Sequence, residues 1–223
     1  MNGADQILNL IDYTVPEQIL FAGGCLLWVL VYAILIRNDI KFKIIEMPIV
    51  AGCSNFAWEI LWSIFYQPDT GQLLVWTYRA WLVLDVYIFY KVIMDGDKFV
   101  ATPYLKKYFK PLTVMMMLAF LLVYYFYIGE GYDTPIGAHS AYIAQLFISV
   151  YYILLIFRLP DISRLSMPIA WLRMLGTAMN TVFMFMHYPD HHFLHSMGVL
   201  AFIMDNFYIW FFSQRRQNKI SIA

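Results

Sequence analysis

Five ionisable residues stand inside runs of apolar side chains: Glu59, Arg79, Asp85, Arg173 and Asp205. Holding any of them in hydrocarbon costs about 3 kcal/mol or more unless it meets a partner or a wet cavity. All five are therefore expected to point inward. Arginine keeps its proton, so two arginines neutralise at most two of the three carboxylates. The third carboxyl is expected to stay neutral, and a neutral carboxylic acid in an apolar pocket is a proton donor. If the five groups share one cavity, the chemistry they offer is general acid catalysis.

Their neighbours at helical spacing sharpen this. Asn55 and Glu59 lie at i and i+4, with Trp62 and Ser63 next on the same face, so Asn55 is placed to hold the Glu59 carboxyl. Trp81 and Asp85 are also four apart. Arg173, Thr177 and Asn180 form a polar stripe, and Phe202, Asp205, Tyr208 and Phe212 share a face. Together they describe a few fixed polar groups within an aromatic wall. Aromatic residues make up 19% of the chain, including seven Trp, and each ring face stabilises a cation by roughly 0.5–2 kcal/mol. An acid beside such a wall is what a protonation-initiated carbocation cascade requires. The plainer reading is that Asp85 pairs with Arg79 or Arg173 to fix helix packing, with the aromatics at membrane interfaces.

Membrane helices must position these groups. With 61% hydrophobic and 13% charged residues among 223, the chain has too little polar surface for a soluble domain of its size. Runs of about 20 apolar residues are long enough to cross a bilayer as helix. Seven are present, roughly at 17–36, 46–66, 72–94, 110–128, 137–157, 167–186 and 195–213. The expected fold is all-α: one polytopic domain over 1–223, a bundle of seven transmembrane helices in an integral, multi-pass protein. Pro48, Pro111 and Pro168 fall near the starts of helices two, four and six, where a missing N–H costs little. Gln67-Pro68-Asp69-Thr70-Gly71 reads as a tight turn.

Orientation follows from the cations. Apart from Arg79 and Arg173, every Lys and Arg lies in alternate connections: Arg37, Lys41 and Lys43; Lys91, Lys98, Lys106, Lys107 and Lys110; Arg158 and Arg164; Arg215, Arg216 and Lys219. Positively charged connections stay cytoplasmic, which places the N-terminus out and the C-terminus in. The N-terminal stretch lacks a basic region and a cleavage site, so it reads as a surface segment rather than a signal peptide. Cys25 and Cys53 read as small core residues. His187, His191, His192 and His195 have spacings that could gather imidazoles around zinc or iron, but Pro189 interrupts them. They read as a wet outer loop capping the cavity, with no metal site expected. Zero net charge gives no sign of a nucleic-acid partner.

Three stretches carry a family resemblance: Asn55-Phe56-Ala57-Trp58-Glu59, Arg79-Ala80-Trp81-Leu82-Val83-Leu84-Asp85, and Trp171-Leu172-Arg173-Met174-Leu175-Gly176-Thr177. With the seven spans, they resemble the integral-membrane terpene cyclases of meroterpenoid and indole-terpenoid pathways. The Trp58-Glu59 pair is the most specific piece. The resemblance implies metal-free cyclisation that begins with protonation of a terminal epoxide or alkene on a prenyl chain. It implies that Glu59 and an acid of the last helix, here Asp205, are essential. Asp205 matches by position more than by its flanking residues.

On this reading Glu59 and Asp205 are catalytic. Asn55, Trp62, Trp81, Tyr208 and Phe202 bind substrate, while Arg79, Asp85, Arg173, Thr177 and Asn180 support them. No cofactor is expected. The partners are a hydrophobic prenylated small molecule and the lipid bilayer, with a prenyltransferase and an epoxidase as candidate neighbours in the same pathway. Buried carboxylates and arginines would also suit a small proton-coupled transporter or channel, but the paired repeats and broken helices of transporters are not evident. A membrane scaffold is a third reading, with little reason to keep three acids at depth.

Overall fold

Thr14 starts the first helix, its amide donating to the Glu17 carboxylate at 2.6 Å with Pro16 in the first turn. The computed structural model describes residues 5–100, 102–159 and 161–217. The helices are α1 Val15–Phe42, α2 Ile49–Ile60, α3 Gln72–Asp95, α4 Pro103–Gly129, α5 Ala138–Arg158, α6 Met167–His187 and α7 His192–Arg216. Each predicted run becomes one helix. Six of them are long and apolar enough to cross a membrane. The exception is α2, with twelve α-helical residues continued by a π-helical turn over Leu61–Phe65.

The hydropathy boundaries shift at the basic ends. α4 begins at Pro103, so Pro111 lies inside it rather than near its start. The reason is that Lys106, Lys107 and Lys110 break the apolar signal without breaking the helix; all three are exposed. The second helix begins at Ile49, which leaves Glu46 in the connection before it.

Contacts between helix ends show that the helices alternate in direction. At one end Asn38 of α1 donates to Glu46 at 2.9 Å, and Glu46 accepts the Ser166 amide ahead of α6 at 3.1 Å. Tyr87 of α3 reaches Asp39 of α1 at 2.7 Å, and Arg215 of α7 donates to the Leu159 carbonyl beyond α5 at 3.0 Å. At the other end the Asn9 amide bonds to the Thr70 carbonyl at 3.0 Å, Tyr13 to Asp69 at 2.6 Å, and Tyr78 to the Ile136 carbonyl at 3.0 Å. Apart from Arg79 and Arg173, the described Lys and Arg residues gather at the first of these ends; Lys219 lies outside the described residues.

α1 packs on α6 and α3, α2 on α4, α5 and α3, and α7 on α5 and α6. Small residues allow the closest approach. A Cβ on Gly24 of α1 would meet the Asn180 side chain and lie 2.7 Å from the Gly176 carbonyl oxygen of α6. At Gly137 (φ 75°), just before α5, the Trp62 ring fills the space a side chain would need. That contact seats the α4–α5 connection against α2.

Candidate active site

Glu59 sits on the last α-helical turn of α2, immediately before the π-helical turn, and is 1% exposed. Tyr32 of α1 donates to Glu59 Oε1 at 2.5 Å. Asn55, one turn earlier on α2, places its Nδ2 within 3.0 Å of both Glu59 Oε1 and Asp85 Oδ2, and 2.6 Å from the Tyr32 hydroxyl. One amide thus holds two carboxyls from different helices. No Lys, Arg or His forms an ion pair with either carboxyl among the described residues. Glu59 Oε2 and Asp85 Oδ1 are buried without a hydrogen-bond partner among the described residues.

Glu59 lines a cavity between α1, α2, α3, α5 and α6. Its wall is aromatic: Phe21, Trp28, Tyr32, Trp58, Tyr78, Trp81 and Tyr142. Tyr78 stacks on Trp81 with centroids 5.2 Å apart and planes at 18°, and Trp58 meets Tyr78 edge-on at 5.2 Å. The rings are anchored: Trp58 Nε1 donates to Ser140 Oγ at 2.9 Å. The α4–α5 connection contributes Ile136 to the lining. Asp133 ties that connection down, accepting the Thr134 and His139 amides at 2.8 Å each and the Ser140 hydroxyl. Burial pushes the Asp133 carboxyl above its ordinary range, against the pull of those donors.

A second polar cluster lies deeper toward the basic end. Arg173 and Ser149 each donate to Asp205 Oδ1 at 2.8 Å. Arg173 is 1% exposed, with Tyr152 and Tyr208 against its guanidinium at 4.0 and 5.3 Å. Gln145, which lines the cavity, donates to Ser149 at 3.2 Å. Asp205 therefore reaches the cavity through Ser149 and Gln145.

Residues 9–216 match the family of Pyr4-like transmembrane terpene cyclases. The chain belongs to that family. It is an integral, multi-pass membrane protein. Terpene cyclase ascF of Acremonium egyptiacum is 28% identical over 76 residues, 34% of this chain and 27% of the relative. Pyr4-family terpene cyclase mfmH of Annulohypoxylon moriforme is 30% identical over 76 residues, 34% of this chain and 30% of the relative. Terpene cyclase pyr4 of Aspergillus fumigatus is 30% identical over 80 residues, 35% of this chain and 32% of the relative. The chain spans about a third of the length of the curated relatives it matches. No solved structure matches it.

Set within this cyclase family, the site departs from the sequence expectations at several residues. The five ionisable groups do not share one cavity. Arg79 is exposed and lies over Trp76 at 4.9 Å. Tyr78, Trp81 and Asp85 occupy the inward face of α3 at i, i+3 and i+7, and Arg79 is turned about 100° from Tyr78. Asp85 accordingly pairs with Asn55 and with neither arginine. Phe202 is 45% exposed, because Ala201, one turn before Asp205, takes the inward place on α7. Trp62 and Tyr208 are buried but do not line the cavity: Trp62 backs Trp58, and Tyr208 packs on Tyr152 beside Arg173. Asp205 does not line it either. The His187–His195 segment contributes no lining residue, whereas the α4–α5 connection contributes Ile136.

Asn55, Trp81, Thr177 and Asn180 do line the cavity beside Glu59. Tyr32, Gln145 and Ser149 were missed by the sequence reading. Gln145 and Ser149 had a usable signal, two polar residues at i and i+4 within an apolar run. Tyr32 had none, being one tyrosine among 17.

Proposed function

We propose that this protein is a membrane terpene cyclase in which Glu59 starts the reaction by protonating the terminal epoxide or alkene of a prenyl chain folded in the cavity. The observation that carries this reading is a buried carboxyl on an aromatic-lined cavity with one oxygen, Oε2, free of any partner. Tyr32 and Asn55 both donate to Oε1, which leaves Oε2 as the atom to carry the acid's hydrogen. Asp85 is held by the same Asn55, so deprotonating both carboxyls would set two charges around one amide. The pair is best accommodated with a proton retained.

For an epoxide, the hydrogen passes from Oε2 to the ring oxygen. That oxygen becomes a hydroxyl as its bond to the more substituted carbon breaks. The resulting positive charge draws in the π electrons of the next double bond, so a carbon–carbon bond forms and the charge moves on. Trp58, Tyr78 and Trp81 offer ring faces along the way. The cascade ends when a C–H proton passes to a base, and Glu59 takes up a proton for the next turnover. From the first proton transfer onward Tyr32 and Asn55 stabilise the Glu59 carboxylate with charge-assisted hydrogen bonds. Asp205 acts in this scheme by holding Ser149 and, through it, Gln145. The substrate is a prenylated aromatic or indole-like molecule of farnesyl length or longer. A prenyltransferase and an epoxidase would supply it.

The test is an assay of Glu59→Gln in microsomes with a farnesylated aromatic epoxide. Product formation is expected to fall at least about a hundredfold, in line with the loss of a general acid. Full turnover by Glu59→Gln would remove it as the donor.

A further inference from the structure

Polar side chains join α5 to α6 and α7 in a ladder. The first rung is Tyr142 with Thr181, 2.8 Å apart. Thr181 gives its own hydrogen to the Thr177 carbonyl at 2.8 Å, so Tyr142 is the donor across the rung. The last rung is Ser149 and Arg173 on Asp205. Between them, one turn along from Tyr142 and Thr181, stand Gln145 on α5 and Thr177 on α6. Both are buried and both line the cavity. Thr177 Oγ1 has no hydrogen-bond partner among the described residues. The ladder is thus closed at both ends and open in the middle, where it meets the cavity.

The lower rung also orients Gln145. The one Ser149 hydroxyl hydrogen goes to Asp205, so Ser149 must accept from Gln145 Nε2. The amide nitrogen is committed to Ser149, and the carbonyl Oε1 is the end left for a guest. Asp205 and Ser149 are positioning residues for that carbonyl. The open rung then offers an acceptor from Gln145 and a hydroxyl from Thr177. Among the described residues no Lys, Arg or His lines the cavity, so an anionic group would find no counter-ion there. A neutral hydroxyl, which donates and accepts at once, fits both.

We propose that Gln145 and Thr177 form a subsite for an uncharged hydroxyl on the head group of the prenylated guest. That hydroxyl donates to Gln145 Oε1 and accepts from Thr177 Oγ1. The choice of guest rests on the cyclase reading, but the test requires no turnover. Purified protein in nanodiscs is titrated with 2-farnesylphenol and with farnesylbenzene, following quenching of tryptophan fluorescence, since Trp28, Trp58 and Trp81 line the cavity.

The wild type is expected to prefer the phenol, and Thr177→Val to reduce that preference about tenfold with farnesylbenzene binding unchanged. Ser149→Ala, which frees the Gln145 amide to turn, should reduce it too, and Ser149→Thr should restore it. Absence of saturable binding, no preference in the wild type, or a preference intact in Thr177→Val overturns the proposal; the wild-type comparison decides even if a variant fails to fold. Loss of the acid reading would appear as turnover by Glu59→Gln, and loss of the subsite as absent discrimination.

Discussion

Tyr32 carries the sharpest residue-level consequence of the acid cluster. Its hydroxyl lies 2.5 Å from Glu59 Oε1, where it would stabilise the carboxylate left after proton transfer. A hydrogen bond to a charged group contributes about 1.5–3 kcal/mol. Tyr32→Phe is therefore expected to lower kcat about ten- to a hundredfold with KM little changed, measured by single-substrate kinetics in microsomes. An equal loss in Tyr32→Phe and Glu59→Gln would instead make the hydroxyl indispensable to the transfer. What could be read at this scale in the sequence was set by cost. Glu59, Asp85, Asp205 and Arg173 stand out because charge at depth demands a reason, and all four are buried. Arg79 misled because its long side chain near a helix end can reach polar surroundings from an outward face. Tyr32 stayed hidden because a tyrosine in an apolar run demands no reason at all.

At the scale of the element, the site depends on how closely helices approach. Tyr32 belongs to α1, whose seam with α6 runs through Gly24 and Gly176, eight residues before Tyr32 and just before Thr177. Gly24→Val would drive its Cβ into the Asn180 side chain and to 2.7 Å from the Gly176 carbonyl oxygen, with two methyl groups still to place. Overpacking of this kind costs about 1–3 kcal/mol, which corresponds to a Tm lower by roughly 3–10 °C in a chain of this size. Thermal unfolding in detergent, read by near-ultraviolet circular dichroism, would measure it. Gly129→Ala is the matched control, since its added carbon would meet only the Tyr66 hydroxyl at 3.6 Å; little change is expected. The helices themselves were legible because hydrocarbon leaves the backbone few alternatives. The π-helical turn after Glu59 was not, because Leu61-Trp62-Ser63-Ile64-Phe65 has the same apolar character as the helix before it.

For the whole molecule, hydropathy and basic residues foretold the element order and the gathering of cations at one end. They did not foretell that the buried charges divide between two clusters, because rotation about each helix axis is set by packing against several neighbours at once. One buried acid at the basic end makes a property of the assembled bundle measurable. Glu46 is 3% exposed and joins the end of α1 to the start of α6 through Asn38 and the Ser166 amide. Burial pushes its carboxyl up to about 7, against the pull of those two donors. The folded protein therefore binds this proton more tightly than the unfolded chain. Stability from this group is greatest below about pH 4.5 and falls as pH rises from there to about 7. The full swing is on the order of 3 kcal/mol. Glu46→Gln keeps a neutral side chain at every pH, and the Asn38 amide can turn to meet it. The variant should match the wild type at the acidic end, exceed it in Tm above about pH 7, and lose this part of the pH slope. Wild-type and variant melting curves that stay parallel across the range would mean that Glu46 is as well solvated in the folded bundle as in the unfolded chain.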